Sequence, residues 1–223
     1  MSKGRVESFS DGVFAFAITL LVLTIAQPSN YSDLGHDLLQ RWPSLFAYVV
    51  SFAVIGIMWL NHHSIFAHFG RIDRGLVYLN LLLLMTIAFL PYPTGVLGEA
   101  LAKGEGTRTA AIVYGTTMAL NGYAWTALWL YASAHRRLLE SSFPEMERRT
   151  ATLLFSSGSV VYTAAVGIAF ANPYAFLGFQ AALAAYYAFD PLSRRAERAL
   201  NRSEQPLVDS SPDDPADGDP LGA

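Results

Sequence analysis

The chain is 223 residues long, 52% hydrophobic and only 15% charged, with a net charge of −3 and a mean hydropathy of +0.31. That is too apolar for an ordinary water-soluble domain and suits an integral membrane protein. It has no cysteine, which excludes disulfides and thiolate metal sites; its small net charge says little about partners, and no nucleic-acid partner is expected.

The opening stretch, RVESFSDGVFAFAITLLVLTIAQ (residues 5–27), puts a polar cluster, Phe9-Ser10-Asp11, directly before an apolar run. The run alone is borderline for a bilayer; with the polar turn it reaches the ~20 residues a spanning helix needs. Glu7 and Asp11 interrupt the basic start, and Ala26-Gln27-Pro28 is a poor cleavage site, so this helix is read as retained rather than as a signal peptide. Asp11 at the edge of such a helix is costly to bury without a partner, which makes it a functional-site candidate. Farther along, Phe16, Thr19, Leu20 and Leu23 follow at spacings of three and four and share one helical face. That face reads either as a pore-lining stripe or as a surface for lipid or another helix, and spacing alone leaves both open.

Apolar segments recur at 8–26, 43–68, 75–98, 109–133, 151–171 and 173–190, each long enough to span with some tilt. The expected fold is therefore an all-α polytopic membrane protein with six transmembrane helices. With the N-terminus in the cytoplasm, the inside segments carry Lys3, Arg5, Arg71, Arg74, Arg136, Arg137, Arg148, Arg149, Arg194, Arg195, Arg198 and Arg202. The outside loops carry only Arg41, Lys103 and Arg108. This imbalance predicts both termini on the cytoplasmic side of a cell inner (plasma) membrane. Outer acidic groups such as Asp33, Asp37 and Glu99 are candidates for raising the local cation concentration.

The second segment ends in WLNHHSIFAHF. His62 and His63 point about 100° apart on a helix, and His63 and His68 are five residues apart, so joint metal ligation is not expected. They read better as interhelical hydrogen-bond partners, one of them pairing with Asp11. Asn80 and Asn121 read as buried polar glue between helices, and Ser156-Ser157-Gly158-Ser159 as a small-residue surface for close packing. Pro91 and Pro93 should kink or end the third helix. Residues 1–190 form the membrane domain, 191–202 a short basic juxtamembrane segment, and 203–223, acidic and proline-rich, a disordered tail.

No GxSxG, phosphate-binding glycine loop, HExxH or TVGYG filter is present, so neither an enzyme nor a carbonyl-filter channel is expected. A secondary transporter of a small solute is the alternative, but no 3+3 repeat is evident.

Arg5-x-x-x-Phe9-Ser10-Asp11, together with GVFAFAITLLVL, WLNHHSIF and LNLLLL…PYPTGVLGE, resembles prokaryotic members of the family of the endosomal and lysosomal potassium channel transmembrane protein 175. The resemblance covers residues 5–190. It implies a homotetrameric, potassium-permeable cation channel lined by the first helix, with K+ as permeant ion and no cofactor or fixed metal. It places the main constriction on Phe16, a hydroxyl layer on Thr19, and further apolar rings on Leu20 and Leu23. Phe16 stands where the family usually has isoleucine or leucine, and four phenylalanines could narrow the path further. The resemblance also implies a structural polar network of Arg5, Ser10 and Asp11 with His62 and His63.

Overall fold

The computed structural model describes residues 2–28, 31–140 and 145–188, within the first of two compact units, Met1–Ala188. The last two residues of the sixth expected span, the basic segment 191–202 and the acidic tail 203–223 lie outside the described residues.

Eight α-helices are described: α1 (Lys3–Leu21), α2 (Leu34–Gln40), α3 (Trp42–Ala67), α4 (Arg74–Phe89), α5 (Pro91–Lys103), α6 (Thr107–Ala134), α7 (Glu145–Ala171) and α8 (Pro173–Ala188). Three helical runs, Lys3–Thr24, Trp42–Ala67 and Arg74–Lys103, are long and apolar enough to cross a membrane. Among the described residues the structure is all-α, with one isolated bridge between Phe69 and Leu139.

The first helix differs from the expected 8–26. It begins at Lys3, because no breaker separates the polar start from the apolar run, and it closes with a 3-10 turn at Val22–Thr24 ahead of Pro28. The short α2 in the following loop was not foreseen. Its Asp37 pairs with Arg41 at 3.1 Å, and Glu99 pairs with Lys103 at 2.9 Å. Both pairs follow the i, i+4 geometry of a helix, so two of the three outer acids proposed to draw in cations are already partnered by cations of their own helices.

At residues 89–91 the third run is broken rather than ended. Pro91 opens α5, where its missing N–H costs no intrahelical bond, and α5 continues to Lys103. Gly104 and Gly106, at φ of 71° and 67°, make the turn into α6 in the left-handed region open to glycine.

In the bundle, α6 lies mainly on α7, α3 on α5, and α1 against α3, α4 and α5. Small residues set the closest approaches. A Cβ on Gly98 would meet the Ser44 backbone at 3.0 Å, and one on Gly122 would meet the Ser159 backbone at 3.1 Å. The expected small-residue surface of α7 thus packs closely against α6 at Gly122. Across the same interface Tyr123 and Thr163 share a 2.9 Å hydrogen bond, and Trp129 donates to Thr152.

One end of the bundle is tied by backbone. Gly70 N–H donates to Leu138 at 2.9 Å and Glu140 N–H to His68 at 3.0 Å. Asp73 caps α4 by accepting from the Leu76 N–H at 2.9 Å, and also accepts from Tyr131 and Arg137. Lys3 reaches the Ala67 carbonyl, so the start of α1 sits at this same end.

Candidate functional site: the two faces of the first helix

α1 buries Val6, Ser10, Phe14, Ala17 and Leu21, spaced four, four, three and four apart. That is one continuous stripe at helical period, turned into the bundle. The other side is left open. Phe16 is 67% and Leu23 77% exposed, Thr19 is exposed, and Leu20 is half-buried. Only 28% of the most apolar window of this run is buried within the chain, against 39% and 44% for the other two. Beside the stripe an apolar groove of about 530 Å³ runs along Phe9, Gly12, Phe16 and Leu20, closed on one side by Ala88 of α4.

Thr19 donates its hydroxyl proton to the Phe16 carbonyl at 2.9 Å. With the proton committed to its own helix, the oxygen lone pairs remain available on the open face, which is the polarity a cation seeks.

Polar groups fasten the packed face. His62 Nε2 lies 2.9 Å from the Asn80 side-chain oxygen, Asn80 donates to Ser10 Oγ at 3.0 Å, and Ser10 donates to the Val6 carbonyl at 2.8 Å. The donors run in one direction, from α3 through α4 to α1, with Nε2 as the protonated nitrogen of His62. Each of the three side chains is at most 1% exposed. Aromatic rings enclose the imidazole: Phe66 stacks on it at 4.2 Å, and Phe14 and Trp125 meet it edgewise at 5.3 and 6.2 Å. A second tie joins Trp59 Nε1 to Asp11 Oδ1 at 2.9 Å.

Of the five residues expected in one polar network, the structure brings Ser10 and His62 together, through Asn80. Asp11 is held separately, and its donor is a tryptophan rather than a histidine. His63 is outside the hydrogen-bonded chain and stacks on Trp59 at 6.3 Å, because neighbouring residues of one helix face different directions. Arg5 is also outside it, exposed on the open side of α1. Asn80 was legible as glue, but nothing local marked Ser10 as its acceptor. Trp59, one turn before His62, carried no signal beyond its indole N–H. Asn121 bonds Thr86 at 2.8 Å and so joins α6 to α4. Among the described residues no group of three or more histidines and acids could hold a metal ion.

A sequence profile described as "Endosomal/lysosomal potassium channel TMEM175" matches residues 5–91. Over 190 residues the chain is 44% identical to a potassium channel of Streptomyces collinus, covering 84% of this chain and 92% of that one. Over 103 residues it is 39% identical to the endosomal/lysosomal proton channel TMEM175 of Homo sapiens, covering 41% of this chain and 20% of the human protein. The crystal structure of a lysosomal potassium-selective channel TMEM175 homolog from Chamaesiphon minutus matches the fold with a TM-score of 0.75 at 38% identity, over 83% of this chain and 96% of that one. By sequence over most of its length and by fold, the chain belongs to the family of the endosomal/lysosomal potassium channel TMEM175.

Proposed function

We propose that this protein is a potassium-permeable cation channel of the plasma membrane. It assembles as a homotetramer in which four copies of α1 surround the ion path, and each subunit crosses the bilayer six times with both termini in the cytoplasm. The observation that carries this reading is the division of α1 into two faces. One is fastened into the bundle by Ser10, Asn80, His62, Asp11 and Trp59, and the other leaves a stripe of large apolar side chains uncovered. Lys3 and the loops holding Arg71, Arg136 and Arg137 gather at one end of the bundle, which supports the orientation.

On this reading Phe16 forms the narrowest ring, with Leu20 and Leu23 beyond it. A tight apolar ring dewets and blocks ions; slight widening admits water and a partly hydrated cation. Potassium holds its water less tightly than sodium and crosses such a ring more readily. The Thr19 oxygens offer the passing ion acceptors beside the apolar rings. No cage replaces the whole hydration shell, so selectivity is moderate.

The test is ion flux from proteoliposomes under opposed potassium and sodium gradients. The intact protein should pass potassium at channel rates, and Phe16→Ala or Leu23→Ala should raise conductance or loosen selectivity. Slow, saturable exchange would indicate a carrier, and currents unaltered by both substitutions would remove α1 from the pore.

A further inference from the structure

Phe176, Gln180 and Ala184 follow at intervals of four on the face of α8 that is buried in the bundle. Phe176 meets the Tyr114 ring edgewise at 6.2 Å, and a Cβ on Gly115 would touch the Phe176 ring at 3.2 Å. α8 therefore lies close on α6 one turn before Gln180. Gln180 is only 3% exposed, yet among the described residues its side-chain oxygen accepts no hydrogen bond. Its own subunit already encloses it, so assembly brings it no partner.

Gln180 borders a cavity of about 10 Å³, shared with Ser51 of α3 and Tyr114 of α6 and walled by Phe46, Leu97 and Leu177. Ser51 belongs to a chain of hydroxyls. Its Oγ lies 3.1 Å from Tyr114 Oη and 2.9 Å from Thr94 Oγ1 of α5, which in turn is 2.8 Å from the Leu90 carbonyl. Three hydroxyl protons can point along this chain in either direction. Toward Leu90, Tyr114 donates to Ser51 and its oxygen is left to accept. Toward Tyr114, the phenol proton is left to donate into the cavity.

We propose that this cavity is a built site for one water molecule, which donates to Gln180 and bridges it to Tyr114 and Ser51, fastening α8 to α3 and α6. A buried water needs about 10–15 Å³ and two to four polar partners, and the cavity offers both. Water donates and accepts, so it serves either direction of the hydroxyl chain. No charged side chain lines the cavity, so a bare ion would lie unpaired in a low dielectric. Within a bilayer the amide has no bulk solvent to turn to instead.

A crystal structure of the intact protein that resolves ordered water tests this directly. Density should lie about 2.7–3.2 Å from both the Gln180 amide and Tyr114 Oη. Gln180→Met and Tyr114→Phe test the energetics by equilibrium unfolding in detergent. Tyr114→Phe should lower the folded-to-unfolded ratio by a factor at least about threefold smaller in the Gln180→Met background, because the water leaves with the amide. A Gln180 amide bonded directly to a protein group, with no density between, would overturn the proposal even if the substitutions were coupled. Equal losses in the two backgrounds would overturn it as well. If either variant fails to fold, the structure of the intact protein decides alone.

Discussion

Replacing Asn80 by leucine tests how α1 is held. The substitution keeps a side chain of similar reach but removes both the acceptor facing His62 and the donor facing Ser10. Ser10 remains satisfied, since its proton goes to the Val6 carbonyl at 2.8 Å. The imidazole does not: it is 1% exposed and walled by Phe14, Phe66 and Trp125. Leaving a buried polar nitrogen unpaired costs about 1–3 kcal/mol, and the lost interhelical bond to Ser10 about 0.6 kcal/mol. A total near 2.6 kcal/mol lowers the folded-to-unfolded ratio by a factor of about 80. Equilibrium unfolding in detergent, followed by tryptophan fluorescence, measures this, with Trp125 close to the perturbed ring. Ser10→Ala combined with Asn80→Leu should cost less than the sum of the two by about 0.6 kcal/mol, because both remove the same bond. An Asn80→Leu protein within about 0.5 kcal/mol of the original, or strict additivity with Ser10→Ala, would refute the idea that this chain of donors fastens α1.

Asp11→Ala and Trp59→Phe each delete the 2.9 Å tie between α1 and α3, so tetramer yield on size-exclusion chromatography should fall for each and fall little further for the pair. Normal assembly with lost selectivity in Asp11→Ala would disprove a structural role. Gly122→Val should destabilise the fold by about 1–3 kcal/mol in thermal unfolding, since even a Cβ meets the Ser159 backbone at 3.1 Å and backbone cannot rotate away. The Leu76 N–H, helped by Tyr131 and Arg137 and opposed by partial desolvation, holds the Asp73 carboxyl below the usual carboxylate range. A depressed folded value contributes stability that is complete above the unfolded value, about pH 4, and fades as pH falls through the folded one. Melting temperature should therefore be independent of this group at pH 5–8. Asp73→Ala should lose about 1 kcal/mol there through its helix cap, and Asp73→Asn, an equally good cap, should lose less.

Much of this protein could be read from its residues in order. Apolar runs gave the long helices, Pro91 marked where α4 yields to α5, and the spacing of Phe16, Thr19, Leu20 and Leu23 put them on one side of α1. These are local properties, fixed by chain geometry and by the need of every backbone group in a membrane for an internal partner. In a helix apolar on all sides, periodicity does not say which face meets protein, because lipid is as good a neighbour as leucine. Only packing decided that Val6, Ser10, Phe14, Ala17 and Leu21 turn inward and that the Phe16 stripe stays open. Packing also chose among polar groups of similar chemistry. His62 reaches Asn80 while His63, one residue on, lies on Trp59, and Asp11 takes an indole N–H rather than an imidazole. Those choices join residues as far as 70 positions apart, and they depend on the rotation and depth at which each helix docks, quantities that no single helix carries in its own sequence.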